Sequence, residues 1–164
     1  MKKLLIIKVL FLSSLLSINY NKAQTTTDYI NFYNDVTPKL NSIIPNKTQY
    51  YEKPFSNFYS ELQNKNISVK GWIFDTKIVP STKYYKLTLF FCDMSMLRVA
   101  RENSFQHPWV TLTFEDEIPN QVVSLMEQNH AVWNPTVAQF FSNLKIEKIE
   151  FIGVKGYNVE DYSE

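Results

Sequence analysis

Cysteine, glycine and histidine are all scarce in this 164-residue chain, and each scarcity removes a class of function. The lone cysteine, Cys92, excludes an intrachain disulfide framework, a zinc ribbon and a Cys-x-x-Cys redox pair. Three glycines, Gly71, Gly153 and Gly156, provide no cluster from which to build a Walker loop or a Gly-rich dinucleotide turn. Two histidines, His107 and His130, stand too far apart for the His-Glu-x-x-His pattern of zinc hydrolases. A basic patch is missing as well. The only arginines, Arg98 and Arg101, neighbour Glu102, and phosphate neutralisation needs clustered Lys and Arg, so no nucleic-acid partner is expected.

What is present begins with a leader. Lys2, Lys3 and Lys8 flank the start of an apolar run over residues 9–18, broken only by Ser13, Ser14 and Ser17, and a polar stretch follows to Ala23 and Gln24. That is the layout of a secretory signal. The run is about ten residues, half the ~20 a membrane-spanning helix requires. We therefore read residues 1–24 as a signal peptide and residues 25–164 as a single globular domain, exported to a periplasm or the extracellular space and without an integral membrane segment after cleavage. No cysteine lies near the cleavage site to carry a lipid. The leader holds four of the 17 bases and no acid, so the formal +1 becomes −3 in the remainder.

The remainder opens with helical spacing. Asp28 is placed to cap a helix bearing Ile30, Tyr33 and Val36, and Pro38 is expected to restart a turn carrying Leu40, Ile43 and Ile44. After Pro54, the residues Phe55, Phe58, Tyr59 and Leu62 fall at i, i+3, i+4 and i+7 on one helix face. The period then drops to two. Ile67, Val69, Gly71 and Ile73 alternate with Ser68, Lys70, Trp72 and Phe74; after a turn at Pro80, Tyr85, Leu87, Leu89 and Phe91 alternate with Tyr84, Lys86, Thr88 and Phe90. A third strand sets Val110, Leu112 and Phe114 against Trp109, Thr111, Thr113 and Glu115, while residues 93–108 fit either a helical turn or an extended edge. Pro119 and Pro135 mark two more helix starts, Asn134 capping the second. A last strand has Ile149 and Phe151 on one face and Ile152 and Val154 on the other, which points to a central or covered position. The acidic tail from Gly156 is expected to fray. The order predicts an α+β fold: an antiparallel sheet of about four to five strands with about four helices packed on it.

Chemistry-bearing patterns are few. Glu115, Asp116 and Glu117 lack the alternation and glycine of a calcium loop and precede a helix start, where the dipole favours acids. Glu127-x-x-His130 is half of a di-metal helix motif whose other ligands are missing. No catalytic residue, metal or cofactor is assigned. Instead, the non-aliphatic sides of the strands place Trp72, Phe74, Tyr84, Phe90 and Trp109 beside Lys86 and Thr111. Rings among polar neighbours offer contact area at low entropic cost. These seven form the expected ligand-binding face of a non-enzymatic exported domain that takes a protein partner or a small ligand of the cell envelope. Two alternatives are a cell-envelope hydrolase using His107 with the acids Glu115 to Glu117, and a structural protein assembling through strand edges.

Overall fold

The computed structural model describes residues 24–162, so apart from Gln24 the leader lies outside the described residues. The chain runs α1 (Thr26–Asn41), a 3-10 turn (Ile44–Tyr50), α2 (Phe55–Asn64), β1 (Gly71–Thr76), β2 (Tyr84–Phe90), α3 (Met94–Glu102), β3 (Trp109–Ile118), α4 (Gln121–Asn129), α5 (Pro135–Phe141) and β4 (Ile146–Ile152). The strands form one sheet in the order β1-β2-β3-β4, and every pair is antiparallel. The fold is α+β. Among the described residues no helix is long and apolar enough to cross a membrane.

Register decides which side chains the sheet buries. Trp72 pairs with Leu89, Leu89 with Val110, and Val110 with Phe151; one step along, Phe74, Leu87, Leu112 and Ile149 make the next row. Leu87, Leu89, Val110, Leu112, Ile149 and Phe151 are all fully buried. Phe58 of α2 meets Phe151 from this side, and Phe141 of α5 sits amid Phe55, Trp72, Phe114 and Trp133 at ring-centroid distances of 5.4–6.4 Å. Each well-placed aromatic pair adds roughly 0.5–1.5 kcal/mol beyond the area it buries, so this cluster is the energetic centre of the core.

The first strand departs from the sequence expectation. Val69 is buried, but Lys70 and Gly71 both turn away from the core, and Trp72 then points in. Lys70 is held there by its own N–H on the Phe90 carbonyl (2.8 Å) and by its carbonyl accepting from Trp133 N–H (3.1 Å). Two outward residues in succession reset the alternation, because side chains in a strand change face at every step. Gly71 and Ile73 therefore lie on the outer face and Trp72 and Phe74 on the core face, the reverse of the simple period-two reading. A bulge in β2, where Tyr85 is extra against β1 between the pairs Asp75–Lys86 and Thr76–Tyr84, does the same to Tyr84, whose ring packs edge-on to Phe74 at 4.6 Å.

Other differences have equally local causes. Thr25, not Asp28, caps α1; Asp28 is its capping-box partner three residues on. The helix runs through Pro38 instead of restarting there. Pro38 and Asn34 are both solvent-exposed, so the hydrogen bond proline removes is lost where water replaces it. β4 is an edge strand, not a central one, though its first residue is bridged by Tyr51 and its neighbour Lys145 by Pro54. The tail is pinned. Gln106, 1% exposed, donates its side-chain amide to the carbonyls of Val159 and Asp161, and Tyr162 lies against Trp109.

Candidate functional site

The ambiguous stretch after β2 is a helix because Asp93 caps it. The carboxylate accepts from the N–H groups of Ser95 and Met96 at 3.0 Å, from the Ser95 hydroxyl, and from the Gln24 side-chain amide. The Ser95 hydroxyl bond, with those backbone donors, holds the Asp93 carboxyl below the ordinary carboxylate range. Ala100 fixes one side of α3 against Tyr29 and Tyr33 of α1. On another side Met94, Leu97 and Arg101 face a cavity of about 580 Å³.

The sheet supplies the opposite wall of this cavity through Gly71, Ile73 and Phe90, the outer-face residues at one end of β1 and β2. A third wall comes from the α4–α5 connection. His130 and Ala131 both adopt the left-handed conformation (φ 50° and 59°), which turns the chain back so that the Ala131 carbonyl accepts from Trp72 N–H at 3.1 Å and Val132 bridges to Gly71. This short bridge extends the sheet beyond its four strands. Gly71 is the contact point, where a Cβ would stand 3.4 Å from the Ala131 oxygen. His107, entering β3, closes the cavity alongside Arg101.

The lining is mainly apolar and its rim is exposed. Ile73 is 47%, Val132 56% and Met94 70% accessible, three of the few large hydrophobic side chains in the described protein that face water. Burial raises the Cys92 thiol to about 12, with the nearby Asp93 charge acting in the same direction, so the thiol form is favoured at neutral pH. The His107 ring lies 4.9 Å from Trp109, and its Nδ1 is buried with no hydrogen-bond partner among the described residues. Burial lowers the His107 pKa and the Arg101 charge lowers it further.

That shift has a measurable sign. The folded state favours neutral His107, so its contribution to stability is intact above the ordinary histidine range. It erodes as the pH falls through that range and is gone below the folded value. Thermal denaturation between pH 7.5 and 5 is expected to show a steeper fall in Tm for the wild type than for His107→Gln. Parallel curves would mean that His107 titrates as it does in the unfolded chain.

The seven residues expected at the ligand face divide between two places. Lys86, Phe90, Trp109 and Thr111 share the outer face, in register with one another: Phe90 opposite Trp109, and Thr88 opposite Thr111 with their hydroxyls 3.0 Å apart. Trp72 is fully buried and its ring packs on Phe141, while Phe74 and Tyr84 pack against the core beside it. Trp109 is part-covered by His107 and Tyr162. Of the outer-face four, only Phe90 lines the cavity.

Arg101, His130, Val132 and Met94 were not legible as one site because they come from three segments that only the fold unites. The sequence offered Met94, Leu97 and Ala100 at helical spacing but grouped Arg101 with Leu97 and Val99 as an extended alternative. The alternative grouping of His107 with Glu115, Asp116 and Glu117 does not converge. His107 precedes the first residue of β3 and the acids lie toward its other end, roughly 25 Å along extended chain. No group of three or more His, Cys, Asp or Glu among the described residues is arranged to hold a metal ion. Compared with known proteins, the chain matches no family model, no curated protein and no solved structure.

Proposed function

We propose that the protein is an exported, non-enzymatic binding domain that holds a small, largely apolar ligand in the cavity between α3, the outer face of β1 and β2, and the turn at residues 130–132. The observation that carries this reading is the cavity itself: about 580 Å³, apolar within and rimmed by exposed Ile73, Met94 and Val132. Small-molecule sites fall at roughly 300–1,000 Å³ and are mostly apolar with a few convergent polar groups. Exposed aliphatic side chains gathered at one opening favour an occupant that covers them. The leader sequence supports export.

A neutral, environment-sensitive fluorophore tests this directly. N-phenyl-1-naphthylamine titrated with the purified domain is expected to brighten and shift to the blue with a saturable curve. A double variant, Ile73→Glu with Val132→Glu, places two charges at the mouth on side chains already in water. It is expected to weaken binding at least about tenfold, roughly 1.4 kcal/mol, with its Tm held within a few degrees. A linear, unsaturable wild-type signal, or equal affinity in the double variant, would remove the cavity as the site.

A further inference from the structure

We infer that the ligand is an apolar carboxylate, its anionic head seated between Arg101 and His107 at the mouth and its apolar body lying along Ile73, Phe90 and Leu97. The inference rests on the binding reading above and adds the charge and class of the ligand.

The charged groups around the cavity are unequal. Arg101 and Lys70 bring two cations and Asp93 brings the one acid. Asp93 is already committed, its carboxylate accepting from two backbone N–H groups, the Ser95 hydroxyl and Gln24. Arg101 and Lys70, by contrast, have no ion pair or side-chain hydrogen bond among the described residues, although six lysines elsewhere are paired with carboxylates. The lining therefore carries two cations against one carboxylate, and that carboxylate makes no ion pair with either of them among the described residues. A guanidinium offers parallel N–H donors that fit the two oxygens of a carboxylate.

His107 supplies the second, independent observation. It lines the cavity with Arg101, and because its Nδ1 is sealed from solvent and unpartnered, Nε2 is the ring nitrogen left to meet a ligand. An anion near Arg101 also reverses the field that disfavours a proton on His107, so the imidazole becomes a better donor to that same anion. Beyond these, the lining residues with side-chain donors are exposed His130, buried Cys92, and Trp72, whose indole is fully buried and packs on Phe141. One planar anionic head and an apolar remainder match what is there, whereas a phosphate dianion would call for more donors than this mouth provides.

Displacement of bound N-phenyl-1-naphthylamine separates the possibilities. Decanoate is expected to displace the probe at a concentration at least about tenfold lower than 1-decanol, and Arg101→Gln is expected to erase that preference while leaving the decanol curve in place. Lys70→Gln is expected to narrow it less. Equal displacement by the acid and the alcohol would overturn the carboxylate assignment and leave the cavity as a neutral apolar site. A preference that survives Arg101→Gln, or is lost only in Lys70→Gln, would overturn the seat proposed here. Failure of the probe itself to bind would instead overturn the binding reading on which the inference rests.

Discussion

Replacing Trp72 with alanine is expected to remove roughly 3–5 kcal/mol of stability, a large part of the ~5–15 kcal/mol a domain of this size commands. The ring is fully buried, packs edge-on to Phe141 at 5.4 Å, and faces Phe74 on its own strand. Its deletion leaves a cavity at the meeting point of β1 and α5 that rigid neighbours cannot refill. Trp109→Ala removes the same atoms from the outer face, where the ring is part-exposed beside Tyr162, and is expected to cost about 1 kcal/mol. Trp72→Phe offers a finer test. The indole N–H is buried with no acceptor among the described residues, and leaving a donor unsatisfied costs about 1–3 kcal/mol. Phenylalanine keeps most of the ring contact and sheds that donor, so it is expected to retain most of the stability lost in the alanine variant. Urea unfolding of the three variants reads all of this; equal losses in Trp72→Ala and Trp109→Ala would contradict the assignment of the two rings to opposite faces.

Gly153→Ala is the second substitution with a large expected effect, though it deletes nothing. Gly153 follows β4 with φ 68°, a left-handed conformation that a Cβ disfavours. A Cβ built there would stand 3.0 Å from the carbonyl carbon of His107 and closer still to its oxygen. That neighbour is backbone, so it cannot swing aside. Strain at the dihedral and overpacking against the strand entry together are expected to cost roughly 2–5 kcal/mol. Because His107 lines the cavity, the variant is also expected to weaken N-phenyl-1-naphthylamine binding under conditions where it remains folded. Gly156→Ala is the control. The one close contact of a Cβ there is the Val159 γ2 methyl, at 2.7 Å, and the end of an exposed side chain yields cheaply. Similar unfolding midpoints for the two alanine variants would show that the close approach at His107 is not rigid.

Much of the fold was written in periodicity. Leu87 and Leu89 in β2, and Val110, Leu112 and Phe114 in β3, alternate cleanly and are buried as the pattern requires. Phe55, Phe58 and Leu62 do the same at helical spacing. What periodicity could not reveal was where the alternation is reset. The turn of face at Lys70 and Gly71 depends on hydrogen bonds to Phe90 and Trp133, a strand and a loop distant in sequence. Tyr84 changes side through a bulge set by pairing with β1. The same limit explains the site. Aromatic residues drew attention to the outer face, but the cavity lies at its end and draws on residues 70–73, 90–101, 107 and 130–132. Arg101 in isolation is an ordinary helix cation; it gains meaning only beside His107, and that proximity is created by how α3 leans on α1.

The anchors of α1 also set an order of assembly in time. Tyr33 donates its hydroxyl to the Gly153 carbonyl at 2.7 Å, Asn41 donates its amide to the Val154 carbonyl at 3.2 Å, and Tyr29 donates to the Gln106 carbonyl. The first two span 120 and 113 residues of chain. Loops of that length close at an entropic cost that must be met before the contacts reward it, and such topologies fold slowly. The acceptors of Tyr33 and Asn41 therefore exist only once the last strand has been synthesised, whereas Gln106, the acceptor of Tyr29, comes before β3. During synthesis the protein holds an open clasp, and the residues just past β4 are what fasten it.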